Sequence, residues 1–144
     1  MRAGWIPGAV QLRRWTLAEG RVIEGAVNAN YEPVISLPVQ GPAGQTLEID
    51  AVVDTGFNGF LTLPTALVGE LSLPFASIGR AVLANGSEVA FDVYEVTVLW
   101  DGQPRNIEAA VTDAVSLVGM LLLDRHNLNI EVTDGGRVVI LPTE

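Results

Sequence analysis

Cysteine is absent from the 144 residues, which excludes disulfides, thiolate nucleophiles and cysteine-ligated metals. Lysine is absent as well. All 8 basic residues are arginine against 17 acidic ones, for a net charge of −9. That field repels a phosphate backbone, so nucleic acid is not an expected partner. His126 is the sole histidine, and a zinc site or a Ser-His-Asp triad would rest on it alone. Apolar runs are short, far below the roughly 18 to 20 residues of a membrane-spanning helix. In "GWIPGAVQLRRW" Pro7 and two arginines interrupt the apolar core that a secretory signal needs. The expectation is a cytoplasmic chain with no membrane partner, metal or cofactor. What remains for chemistry is carboxylate.

The rest of the composition describes one folded domain. Hydrophobic residues make up 49% and charged residues 17%, and the length suits a single core. Residues 1–24 hold Arg2, Arg13, Arg14 and Arg21 with Trp5 and Trp15, without periodic patterning, and read as an amino-terminal tail or extension. Residues 25–144 read as the domain. From Val27 to Val39 apolar residues recur at alternate positions, a half-buried strand that Pro33 and Pro38 suggest runs at an edge. "TLEIDAVVD" alternates again, with Leu47, Ile49, Ala51 and Val53 on one face. "FLTLP" leads into a short helix near 64–71, with Pro64 at its first position. Asn85-Gly86 joins two β-rich runs as a hairpin, and Asp101-Gly102 turns the chain into another strand. "VSLVG" reads as a buried strand and "MLLLDRHN" as a two-turn helix ending at Asn127. "LNIEV" and "RVVIL" form a last hairpin about Asp134-Gly135-Gly136. Eight or nine short strands against one or two short helices make the fold class all-β.

Asp54, in "AVVDTGFNGFLTLP", sits where an alternating strand gives way to a glycine-containing loop. Taken alone, Asp-Thr-Gly is a common turn composition, since Asp can bond its own following backbone. The order of the surrounding pieces adds weight: strand, Asp-Thr-Gly, "FLTLP", the Asn-Gly hairpin, then "LVGMLLLDRHNLNIEV".

Over about Val27 to Leu141 this order resembles the retropepsin-like aspartic proteases, and more closely their small bacterial members. The resemblance implies a closed β-barrel of the acid-protease half type, with a flap hairpin. It implies one Asp-Thr-Gly per chain and an active site shared by two identical subunits, Asp54 facing Asp54 across a two-fold axis. It also implies an endopeptidase acting on peptides or unfolded protein, with water activated by a carboxylate pair that shares a proton and favours acidic pH. By the same resemblance Thr55 and Gly56 form the active-site loop and dimer contact. Phe57 and Asn58 take substrate-binding positions, as do Ala84, Asn85, Gly86 and Ser87 at the flap tip. Leu117, Val118 and Gly119 pass beneath the loop as its support. Retroviral members usually carry an acidic residue and an arginine where this chain has Asn58 and Met120. An ion pair that braces the dimer is therefore missing.

The alternative on the same fold is a catalytically inactive dimeric or peptide-binding module. A β-barrel assembly domain with an incidental Asp-Thr-Gly is the third reading. His126, placed at a helix end beside Arg125, reads as structural or surface, and Trp100 as packing. Asp92, Asp101, Asp113, Asp124 and Asp134 lack calcium-loop spacing and read as solvated charge.

Overall fold

Residues 22–143 are described by the structure, a computed structural model. Residues 1–21 of the expected extension lie outside them, while Ile23 and Glu24 already open a strand. The described residues form ten strands and two short helices. In chain order they are β1 (Ile23–Val27), β2 (Pro33–Gln40), β3 (Thr46–Val53), β4 (Leu61–Leu63), α1 (Thr65–Leu71), β5 (Phe75–Val82) and β6 (Glu88–Trp100). Then come β7 (Gln103–Val111), β8 (Leu117–Val118), α2 (Met120–Leu123), β9 (His126–Ile130) and β10 (Arg137–Pro142). The all-β expectation holds, and neither helix is long and apolar enough to cross a membrane.

One sheet runs β5-β6-β7-β4-β8-β3-β2-β1-β10-β9, and β6 also pairs with β2. That extra pairing closes β2, β3, β8, β4, β7 and β6 into a ring. Alternation builds the core: Ile35, Leu37 and Val39 of β2 point inward, as do Ala51 and Val53 of β3, while Ser36 and Asp50 stay exposed. The helices add Leu67, Leu71, Leu122 and Leu123 to the same core. Asn85-Gly86 and Asp134-Gly135-Gly136 occupy hairpin turns, and Asp101 and Gly102 both adopt positive φ (61° and 75°) in the tight turn from β6 to β7.

Several expectations need correction. The strand read through Val27–Val39 is two strands joined by a turn at 28–32. Asn28 Oδ1 accepts from the N–H groups of Asn30 and Glu32 (2.9 and 3.0 Å), and Tyr31 takes φ 60°. Its second half is not an edge either, because β2 pairs with β3 on one side and with β1 and β6 on the other. Pro33 is the first residue of β2. Pro38 falls where the second side is unpaired, between the partners of Ile35 and Val39, so no ladder bond is lost there.

The helix after Gly119 is four residues rather than two turns. Asp124 leaves helical geometry (φ −51°, ψ 133°), Arg125 takes φ 64°, and His126 opens β9. His126 is therefore a strand residue with no helix dipole beside it. Asp101 is not solvated: its side chain is 12% exposed and that of His126 is 8%. His126 Nε2 lies 2.9 Å from Asp101 Oδ2, Nδ1 lies 2.8 Å from the Asp124 carbonyl oxygen, and the ring meets buried Trp100 edge-on. This cluster ties the β6–β7 turn to β9. Pro64 stands one residue before α1, as its N-cap.

Candidate active site

Asp54 follows the last residue of β3, and its position comes from that strand's alternation. Ala51 and Val53 face the core, so Asp50, Val52 and Asp54 face the other way. The ladder to β8 continues past the strand end: Val52 N–H donates to Ser116 O and Asp54 N–H to Val118 O, both at 2.9 Å. The carboxylate then shapes its own loop. Gly56 N–H donates to Asp54 Oδ1 (2.8 Å) and Phe57 N–H to Asp54 O (3.1 Å). The second carboxylate oxygen makes no hydrogen bond within the described residues.

Beneath this loop lies the segment Leu117–Gly119. Leu117 N–H is held by Thr62 Oγ1 (2.9 Å), Gly119 N–H donates to Phe60 O (3.0 Å), and Met120 N–H donates to Phe57 O (2.8 Å). Gly119 is required by space: a methyl group there would collide with the Gly59 carbonyl oxygen and the Phe57 ring. Phe57 is half-buried and packs this ring over Gly59 and Gly119. Thr55, Gly56 and Asn58 are exposed, as is Met120. The loop is thus fixed from below and open on its other side.

The residues Ala84, Asn85, Gly86 and Ser87 tip the β5–β6 hairpin, separate from the loop in sequence and in pairing. Asn85 Oδ1 accepts from Ser87 N–H (3.0 Å) and Ser87 Oγ (2.6 Å), and Gly86 sits at φ 86°, where a side chain would be strained. From Ser77 to Ala90 every residue except Gly79 is exposed.

Solved structures similar to this chain include a retropepsin-like aspartic protease from Rickettsia conorii, at 20% identity and TM-score 0.51, covering 85% of this chain and 90% of that one. Another is the EIAV protease complexed with the inhibitor HBY-793, at 19% identity and TM-score 0.48, covering 67% and 88%. The fold is retropepsin-like. The assignment rests on the first of these overlaps together with the strand content. No protein-family model matches the chain, and no curated protein matches it significantly.

Within this retropepsin-like frame, three groups of candidate residues fall into two places. Asp54 to Asn58 and Leu117 to Gly119 are joined by hydrogen bonds and packing, whereas Ala84 to Ser87 stand on the projecting hairpin. No group of three or more His, Asp or Glu side chains among the described residues is arranged to hold a metal. Asp50, Val52 and Val115 were not among the candidates read from the sequence. The signal was present in "IDAVVD", where Asp50 and Asp54 are four residues apart on one strand and so share a face.

Proposed function

We propose that this chain is an aspartic endopeptidase whose active site forms between two copies, each contributing Asp54. The observation that carries the reading is the buttressed Asp54 loop on a retropepsin-like fold: a carboxylate held by Gly56 N–H above Gly119, with Thr55 and Gly56 exposed beside it. One chain supplies one such carboxylate, and a two-fold contact through the exposed loop residues supplies the second.

Two carboxylates in contact cannot both remain ionised, so the pair holds one proton. The ionised member takes a proton from water as the oxygen attacks the scissile carbonyl. The protonated member donates to the carbonyl oxygen, giving a neutral tetrahedral intermediate. Collapse transfers a proton from the pair to the amide nitrogen and breaks the C–N bond, while one hydroxyl of the intermediate gives its proton back, so the pair again holds a single proton. A shared proton is the general behaviour of aspartic-protease carboxylate pairs, and the fold is the ground for extending it to Asp54. An extended peptide would bind by strand pairing, with the β5–β6 hairpin covering it as a flap and excluding water.

The test is cleavage of an unfolded protein such as reduced casein, with sedimentation run in parallel. Wild-type chain is expected to cut and to sediment as a dimer at the concentration where it cuts, and Asp54→Asn is expected to dimerise without cutting. Equal cleavage by the two proteins would overturn the reading.

A further inference from the structure

An open groove of about 600 Å³ lies along β1, β2 and β3 and reaches Val115, and its lining includes no residue of the Asp54 loop. Its apolar lining includes Val34, Val52 and Val115, and its polar lining carries three carboxylates, Glu24, Glu32 and Asp50. The groove runs along the strand that leads into Asp54, though Asp54 itself is not in its lining. Val52 lies on the same face of β3 as Asp54, two residues or about 7 Å along the strand. Val115 adjoins Ser116, whose carbonyl oxygen accepts from Val52 N–H. The three carboxylates are unequally satisfied. Glu24 is paired with Arg137 at 3.1 Å, and Glu32 Oε1 accepts from Asn28 Nδ2 at 2.9 Å. Asp50 makes no hydrogen bond or ion pair within the described residues.

We infer that this groove is a specificity subsite for a basic side chain, arginine or lysine, of an extended peptide whose backbone lies against Asp54. The location rests on the protease reading above; the chemistry of the occupant rests on the groove itself. Arginine and lysine carry an apolar stem and a charged head, and a valine-lined groove rimmed by carboxylates offers a surface to each part. A purely apolar side chain would cover Val52 but would shield Asp50 and Glu32 from water without replacing their hydrogen bonds. An acidic side chain would meet like charge. The net charge of −9 acts in the same direction, raising the encounter rate with cationic peptides.

The experiment uses a fluorescein-labelled decapeptide of alanine, valine and leucine, into which arginine, norleucine or glutamate is placed at each position in turn. Binding is measured by anisotropy to the full chain carrying Asp54→Asn, at low and at moderate salt. At one position arginine is expected to bind about tenfold tighter than norleucine, with glutamate weaker than both, and added salt to shrink that advantage. Asp50 is exposed, so Asp50→Lys keeps the fold and is expected to reverse the order of arginine and glutamate. Norleucine equal to arginine at every position, or an order unchanged by Asp50→Lys, would overturn the inference. Wild-type cleavage of the same series separates the two readings. Arginine-selective binding without any cleavage sinks the protease and keeps the subsite. Cleavage at equal rates with equal binding keeps the protease and sinks the subsite.

Discussion

The ring of strands that carries Asp54, with parallel pairings at β3–β8 and β4–β7, and the outer part of the antiparallel β5–β6 hairpin are built on opposite terms. In the ring of strands, apolar residues alternate inward and disappear from solvent, as Ile35, Leu37, Val96 and Val98 do. In the hairpin the apolar residues stay out: Ile78 is 61% exposed, Val82 70% and Leu83 45%. The ring encloses a buried core of its own, whereas a two-stranded ribbon without a core is marginal on its own in water. Exposed apolar side chains gathered on one projecting hairpin are the kind of surface that the proposed function would use to cover a peptide. Under the proposed function the contrast acquires a use: the loop at Asp54 would hold still while the hairpin moves over a ligand.

The largest effect expected is at Asp54. Asp54→Asn removes the charge and retains the Oδ1 acceptor for Gly56 N–H, so the melting temperature should hold while cleavage falls by about a thousandfold or more. Gly119→Ala is the sharpest test of the rigid part. The added methyl group has no free space between Gly59 O and the Phe57 ring, and overpacking of this sort costs about 1–3 kcal/mol. Thermal or urea denaturation should register that loss, and kcat should fall further than stability alone explains, because the loop above moves with its support. A stable, fully active Gly119→Ala would show that the buttress does not position the site.

Much of this division was legible in the sequence, for local reasons. Asn85-Gly86, Asp101-Gly102 and Asp134-Gly135 demand turn geometry at fixed places, and all three sit in turns between strands. Where local signals conflicted the reading failed. Val27, Ala29 and Tyr31 keep the alternation of a strand, yet Asn28 folds its side chain onto the backbone and breaks the run at a residue, Tyr31, that carries no glycine-like signal. "MLLLDRHN" is apolar enough for a helix, yet the backbone leaves helical geometry at Asp124 (φ −51°, ψ 133°), before the positive φ of Arg125. Pairing between distant segments was not legible at all. Nothing local announces that Val39 lies beside Val98, or that Asp101 and His126 share a buried contact. In the candidate site, Asp54 was visible through its motif, but the groove beside it draws on β1, β2, β3 and the residues before β8, which only the fold assembles.

His126 tests whether stability outside the site can be lowered without touching it. His126→Ala removes the ring that faces both the Asp101 carboxylate and the Asp124 carbonyl and that packs on Trp100. A hydrogen bond to a buried charged group contributes about 1.5–3 kcal/mol, and a loss of that size is expected in urea unfolding. Cleavage per folded molecule should stay near wild type, since β9 and the β6–β7 turn are not part of the loop at Asp54. A large drop in kcat at full occupancy of the fold would break the proposed separation of regions.

The smallest effect belongs to the hairpin. Gly86→Ala places a side chain at φ 86°, which costs about 1 kcal/mol locally and should distort the turn bonded by Asn85 and Ser87. Because the tip has no core beneath it, global unfolding should shift little. If the hairpin closes over peptide, the loss should appear in KM, raised a few-fold, with kcat changed less. Leu83→Ser removes apolar surface from the same tip while leaving its backbone conformation alone, and should raise KM in the same direction. A substantial fall in melting temperature with KM unaltered, in both variants, would mean that the exposed apolar residues of the hairpin serve the fold rather than the ligand, and the contrast between the two regions would be lost.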